Sequence, residues 1–174
     1  GLPQGVLDAS YITGVRTGAA GAIGAKYLAR EDSHTLFLLG AGNQAFFQIA
    51  AVLTLFSGIE KIMVADVVNP ENAQRFVKDL PTEFGISVSG LQITAENDLS
   101  ASVPQADIVI TVTPAKSPVI KKNWIAPGTH LSCIGADAAG KEEIEPEIFA
   151  GARLFVDDRV HCIEAGETEI PLKR

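Results

Sequence analysis

The 174-residue chain holds only two cysteines, Cys133 and Cys162, and three histidines. Neither cysteine lies in a metal-ligand spacing, and two thiols do not make a disulfide framework. Both are read as free thiols buried in a protein of the reducing cytosol. His34, His130 and His161 have no partner in the sequence; they are read as structural, with His130 a satisfied, partly buried strand residue. No metal site is expected. No apolar run reaches the roughly 18 residues that would cross a bilayer, and no secretory signal is read. Basic charge is scarce: 14 Lys and Arg stand against 21 Asp and Glu, for a net charge of −7 and a pI near 4.9. That balance argues against nucleic acid or an anionic membrane as the main partner. There is no internal repeat and no low-complexity linker.

What is present is a strong local pattern. The apolar run Thr35-Leu36-Phe37-Leu38-Leu39 leads into Gly40-Ala41-Gly42-Asn43-Gln44-Ala45, and a greasy helical stretch follows. A second apolar strand, Lys61-Ile62-Met63-Val64-Ala65, ends at Asp66, 21 residues beyond Ala45. Strand, glycine turn, helix, strand and acid form the layout of a dinucleotide-binding βαβ unit. Gly40 allows a sharp turn out of the strand. Gly42 lets a pyrophosphate approach the backbone, and Ala45 takes the small position where strand and helix pack. The free N–H groups of the first helical turn, including those of Asn43 and Gln44, face the phosphates. Asp66 stands where a ribose-binding acid is expected, which favours NAD over NADP because no arginine follows in Val67-Val68-Asn69. A methyltransferase-like nucleotide site is the rival reading of the same turn.

The rest of the chain alternates strands with helices, the signature of a parallel sheet covered on both faces. Residues 1–15 read as an irregular lead-in. Residues 16–30 read as a helix of small residues, whose glycines (Gly18, Gly21, Gly24) make sense only if a helix, sheet or cofactor packs very close. Helices are expected at 43–57, from Pro70 to Phe84 and near Leu99. Strands are expected at 87–93, 107–113, 130–134 and 154–156. Helix 43–57 carries more than one apolar stripe, so its outer flank either is simply greasy or meets another domain or subunit. The fold expected is α/β: a Rossmann-type doubly wound parallel sheet in three αβα layers.

Polar residues cluster at the carboxyl ends of the later strands, where open parallel sheets bind ligands. They are Thr111-Val112-Thr113-Pro114, Gly135-Ala136-Asp137 through Gly140-Lys141-Glu142-Glu143, and Val156-Asp157-Asp158. Together with Arg16-Thr17-Gly18-Ala19-Ala20, the 40–45 turn, Pro127-Gly128-Thr129-His130 and Gly166-Glu167, these stretches give the chain its character. It resembles the ornithine cyclodeaminase/mu-crystallin family, in order and nearly end to end.

The resemblance implies an enzyme that passes a hydride between nicotinamide and the α-carbon of an amino or imino acid. It implies that Arg16 holds the substrate carboxylate and Thr17 contacts cofactor phosphate. It further implies that Asp137 is the acid/base, that Lys141 lies close to the cofactor, and that Thr111 and Thr113 line the nicotinamide side. The residue types suit these tasks: guanidinium grips carboxylate in bidentate fashion, and an aspartate beside an ammonium accepts and returns a proton. Each residue also has a plainer reading. Arg16 could start a helix on the surface, and Asp137 could form a turn. Lys141 could be solvated, the threonines could be ordinary strand residues, and Asp158 could cap a helix. The family further implies a homodimer and a division into three parts. Residues 1–30 would belong to a substrate domain, 31–158 would form the NAD-binding domain, and 159–174 would return toward the missing domain. The chain starts at Gly1, and the family's second substrate-binding arginine, lysine and later glycine segment are not identifiable. It is therefore read as the cofactor domain of a longer enzyme, inactive alone; a stand-alone binding module is the alternative.

Overall fold

A computed structural model describes residues 1–82 and 87–173. Its central sheet is made of five parallel strands in the order β3-β2-β1-β4-β6: β1 Thr35–Leu39, β2 Lys61–Ala65, β3 Gln92–Ala95, β4 Ile108–Thr111 and β6 His130–Cys133. Strands β5 (Lys116–Ile120) and β7 (Glu142–Ile144) form a separate parallel pair. The chain winds outward from β1 through β2 to β3, then crosses back to β4 on the other side of β1. The order reverses at the carboxyl ends of β1 and β4, the place where such sheets take ligands.

The central strands β1, β2 and β4 are doubly buried, and their alternation builds two cores. Leu36, Leu38, Ile62, Val64, Ile108 and Ile110 meet Ala45, Ile49, Val52 and Phe76 on one face. These come from helices α2 (Asn43–Leu55) and α3 (Pro70–Asp79). Phe37, Leu39, Met63 and Val109 point the other way, against Val103, Ile120, Ile144 and Ile148. That second layer is built from the short α4 (Leu99–Ser102), 3-10 turns and the β5–β7 pair rather than long helices.

Strands β1 and β2 follow the sequence reading residue for residue, because each is a continuous apolar run with a turn at both ends. Other expectations need correction. Helix α1 spans Ser10–Leu28, so much of the expected lead-in is helical. Gly14 is the reason: a Cβ there would lie 2.2 Å from the Phe47 ring of α2, so the glycine that reads as a breaker is a contact surface. Gly18 and Gly21 do the same against the Phe47 carbonyl and the Gln48 side chain, whereas Gly24 faces open space. The second apolar flank of α2 is thus met by α1 of the same chain, and Phe46 packs on Phe76 of α3.

Helix α3 ends at Asp79, and a 3-10 turn containing Pro81 follows; Phe84, the expected end, lies outside the described residues. Strand β3 begins at Gln92 rather than at 87, after a turn whose Gly90 has φ +84°, and pairs from Lys61↔Gln92 onward. Residues 154–156 form no strand: Leu154, Phe155 and Val156 are about half exposed, and no strand pairs with them among the described residues. Helices α5 (Arg159–Glu164) and α6 (Glu169–Lys173) close the described chain. Asp158 caps α5 by accepting the His161 amide at 2.8 Å. Among the described residues no helix is long and apolar enough to cross a membrane.

Candidate functional site

The turn after β1 sits at the reversal point of the sheet. Gly40 has φ +103°, and a Cβ there would lie 2.9 Å from the Val112 carbonyl just past β4. Its own N–H donates to the Ala65 carbonyl at 2.8 Å, joining it to the end of β2. Gly42 then forms the N-cap of α2 in extended conformation, and no side chain caps the helix. A Cβ on Gly42 would meet nothing within 4 Å. Ala45 is fully buried, as strand–helix packing requires. Asn43 is exposed beside this opening, and the Gln44 Oε1 is buried with no hydrogen-bond partner among the described residues.

Asp66 closes the turn from the other side. Its Oδ2 accepts the Ala41 amide at 3.3 Å, while Oδ1 accepts the Val68 and Asn69 amides at 3.0 Å. An ionised carboxylate has about four acceptor sites, so capacity remains for a ligand hydroxyl. The bare amides, the positive end of a 13-residue helix, the open space at Gly42 and an acid drawn onto the same loop fit a dinucleotide.

Thr111 and Thr113 are both buried, and their hydroxyls are already engaged. Thr111 donates to the Glu143 Oε2 at 2.7 Å and Thr113 to Oε1 at 2.7 Å. The Thr113 and Gly135 amides donate to the same carboxylate at 2.7 and 2.9 Å. Glu143 is fully buried in β7. The sequence reading places it in the polar stretch at a strand's carboxyl end and gives it no role of its own. The one available signal was its position beside the Gly135–Lys141 segment at a strand end.

Asp137 and Lys141 come together: Lys141 Nζ contacts the Asp137 Oδ1 and lies 3.5 Å from the Gly135 carbonyl. The lysine is mostly covered at 21% side-chain exposure, while Asp137 is 73% exposed. Arg16 lies on the exposed side of α1, and no hydrogen bond or ion pair among the described residues joins it to either. The Thr17 carbonyl accepts the Gln48 side chain at 3.2 Å, which seats Thr17 beside the first turns of α2. One turn further along α1, Gly21 approaches Ile134 at the end of β6.

A second buried acid supports this edge. The Glu167 carboxylate accepts the Glu143 amide (2.8 Å to Oε1, 3.1 Å to Oε2) and the Ile144 amide at 2.8 Å. Burial raises its pKa to about 7; the two amides oppose the rise, and Glu143 and Glu142 add to it. Burial, Glu167 and Glu143 likewise push the Cys133 thiol well up. A carboxyl raised from 4.5 stabilises the fold fully below that value, and the contribution is lost as pH rises through about 7. Glu167→Gln is therefore expected to match the parent near pH 4.5 and to gain on it by about 1–3 kcal/mol near pH 8. Urea unfolding at the two pH values measures this, and a pH-independent difference would refute it. His130 corrects another expectation: its Nε2 is buried without a hydrogen-bond partner among the described residues, and burial lowers its pKa.

The model of the "Ornithine cyclodeaminase/mu-crystallin family" matches residues 1–173. The chain belongs to that family. It is 38% identical over 174 residues to an alanine dehydrogenase of Archaeoglobus fulgidus, covering all of this chain and 51% of the relative. A solved Delta(1)-pyrroline-2-carboxylate reductase of Thermococcus litoralis, in complex with NADH and L-proline, superposes with a TM-score of 0.86 at 34% identity. That match covers 95% of this chain and 49% of the reductase. An archaeal alanine dehydrogenase dimer with bound NAD gives a TM-score of 0.86 at 35% identity, over 99% of this chain and 51% of that one. The chain spans about half the length of the curated relatives it matches. These likenesses establish the Rossmann-type fold of the family.

Proposed function

We propose that this chain is the NAD(H)-binding part of an enzyme acting at the α-carbon of an amino or imino acid. The observation that carries it is the uncapped start of α2, open at Gly42, with Asp66 held on the same loop. The solved reductase with NADH and L-proline, and the dehydrogenase with NAD, support both the cofactor and the substrate class. In this reading the main-chain amides of Gly42, Asn43 and Gln44 hold the pyrophosphate, Gly40 and Ala41 shape the turn through their own bonds to Ala65 and Asp66, and Thr17 lies beside them. Asp66 binds the adenosine ribose hydroxyls and disfavours a 2′-phosphate. Thr111 and Thr113 support the nicotinamide side, and Lys141 lies close by. When bound, the nicotinamide supplies or accepts the hydride.

Arg16 pairs with the substrate carboxylate. Asp137, at the open end of its pair with Lys141, takes a proton from the substrate nitrogen or returns it. Residues 31–158 form the cofactor domain, and the flanks 1–30 and 159–174 face the rest of the enzyme. The exposed Tyr11, Ile12 and Tyr27 of α1 support that division, and the dimeric dehydrogenase supports a homodimer.

Titration with NADH, with S-adenosylmethionine as the rival nucleotide, tests the reading; only NADH is expected to bind. Asp66→Ala should weaken NADH binding about tenfold or more, the loss of charge-assisted hydrogen bonds. It should also narrow the gap to NADPH. Unchanged NADH affinity would remove Asp66 from the ribose site.

A further inference from the structure

We propose that Glu143 is a positioning residue: its buried carboxylate clamps the ends of β4 and β6 so that Thr113 and the Asp137 turn stay in register. The proposal rests on the functional reading above. The β4–β6 ladder ends at the pair Thr111↔Cys133. Beyond it the Ile134 and Gly135 amides still donate to the Thr111 carbonyl at 2.8 and 3.1 Å, which leaves Thr113 to be tied in. Glu143 continues the joining. Each carboxylate oxygen takes one hydroxyl and one amide: Thr113 Oγ1 and N on Oε1, Thr111 Oγ1 and Gly135 N on Oε2, all within 2.7–2.9 Å. A fully desolvated carboxylate is costly unless its lone pairs are satisfied, and these four donors satisfy it.

The fit leaves no slack. A Cβ on Gly135 would lie 2.2 Å from the Thr113 carbonyl, so the two backbones touch under the carboxylate. From Gly135 the constraint passes on directly. Its carbonyl accepts the Asp137 amide at 2.9 Å and lies 3.5 Å from Lys141 Nζ. Glu167 fixes the clamp from behind by holding the Glu143 amide. One chemical consequence follows for the cofactor edge. The Thr113 hydroxyl proton is committed to Glu143 and one lone pair takes the Ala115 amide at 3.3 Å, so toward a ligand that oxygen offers a single lone pair. It can accept from a carboxamide NH₂ and cannot donate to a carboxamide carbonyl.

Glu143→Gln in the full-length protein is the test. Glutamine keeps the shape but turns an NH₂ toward one of the two amides. Turnover should fall about 100-fold, the effect of reacting groups displaced by about an ångström. NADH affinity should change less than about threefold, so that kcat carries the loss. The amides of 135–137 should exchange with deuterium about tenfold faster while residues 40–45 keep their protection. Thr111→Val, which removes one donor at constant volume, should show the same local pattern more weakly. It serves if the glutamine variant does not fold. Turnover within threefold of the parent, or exchange raised equally across the whole sheet, would overturn the proposal. The exchange readout needs neither cofactor nor substrate. A parent protein that fails to bind NADH therefore sinks the functional reading by itself, and the exchange pattern still decides whether the clamp exists.

Discussion

Asp137→Asn in the full-length enzyme is expected to lower turnover by about 10²–10⁴-fold, the usual span for a lost acid/base group, while NADH still binds. The expectation rests on where the residue sits. Asp137 is 73% exposed, and its only partner among the described side chains is Lys141. Removing its charge breaks an exposed ion pair, worth less than about 1 kcal/mol to the fold. The turn itself is held by main-chain bonds, with the Asp137 amide on the Gly135 carbonyl at 2.9 Å. Asparagine preserves volume and can still accept from Lys141. What it cannot do is take a proton. A fall in kcat with unchanged NADH fluorescence titration and unchanged unfolding therefore isolates the proton transfer. Turnover at the parent level would leave Asp137 as a turn former and move the acid/base role elsewhere.

The βαβ turn from β1 through α2 to β2 is legible in the sequence because its determinants are local. Two apolar runs of strand length, a pair of glycines two residues apart and an acid at the second strand's end each act on their own neighbourhood. The five residues of β1 and of β2 were read without error. The other half of the site was legible only as a set of residues. Asp137 and Lys141 meet because they are four apart, but nothing local shows that Thr111 and Thr113 share a carboxylate 32 and 30 residues away. Glu143 reads only as part of a polar stretch at a strand end, and nothing local shows that β7 carries it under the sheet edge. The same limit explains residues 154–156. Their β propensity is real, yet a strand needs a paired neighbour, and they have none among the described residues. It also explains α1, where glycines that weaken an isolated helix become the surface on which α2 rests.

Glycine substitutions turn that last point into numbers of opposite sign. Gly135→Ala is expected to destabilise the protein by more than about 3 kcal/mol, as overpacking against groups that cannot yield does. The new Cβ would lie 2.2 Å from the Thr113 carbonyl oxygen, 2.5 Å from the Thr113 nitrogen and 2.6 Å from the Glu143 Oε1. Two of these are backbone at the end of β4, and the third is a carboxylate fixed by four donors. Relief on either side would pull Thr113 off Glu143 or lift the Asp137 turn, so turnover should fall with stability. Gly24→Ala, one helix away, is the control. Nothing lies within 4 Å of that Cβ, and the position is interior to α1. There alanine should gain about 0.5–1 kcal/mol from helix propensity. Chemical denaturation of the two variants measures both signs. If Gly135→Ala were as mild as Gly24→Ala, β4 and β6 would have room to separate beyond their ladder, and neither the clamp nor the geometry of Asp137 would be as tightly set as these contacts require.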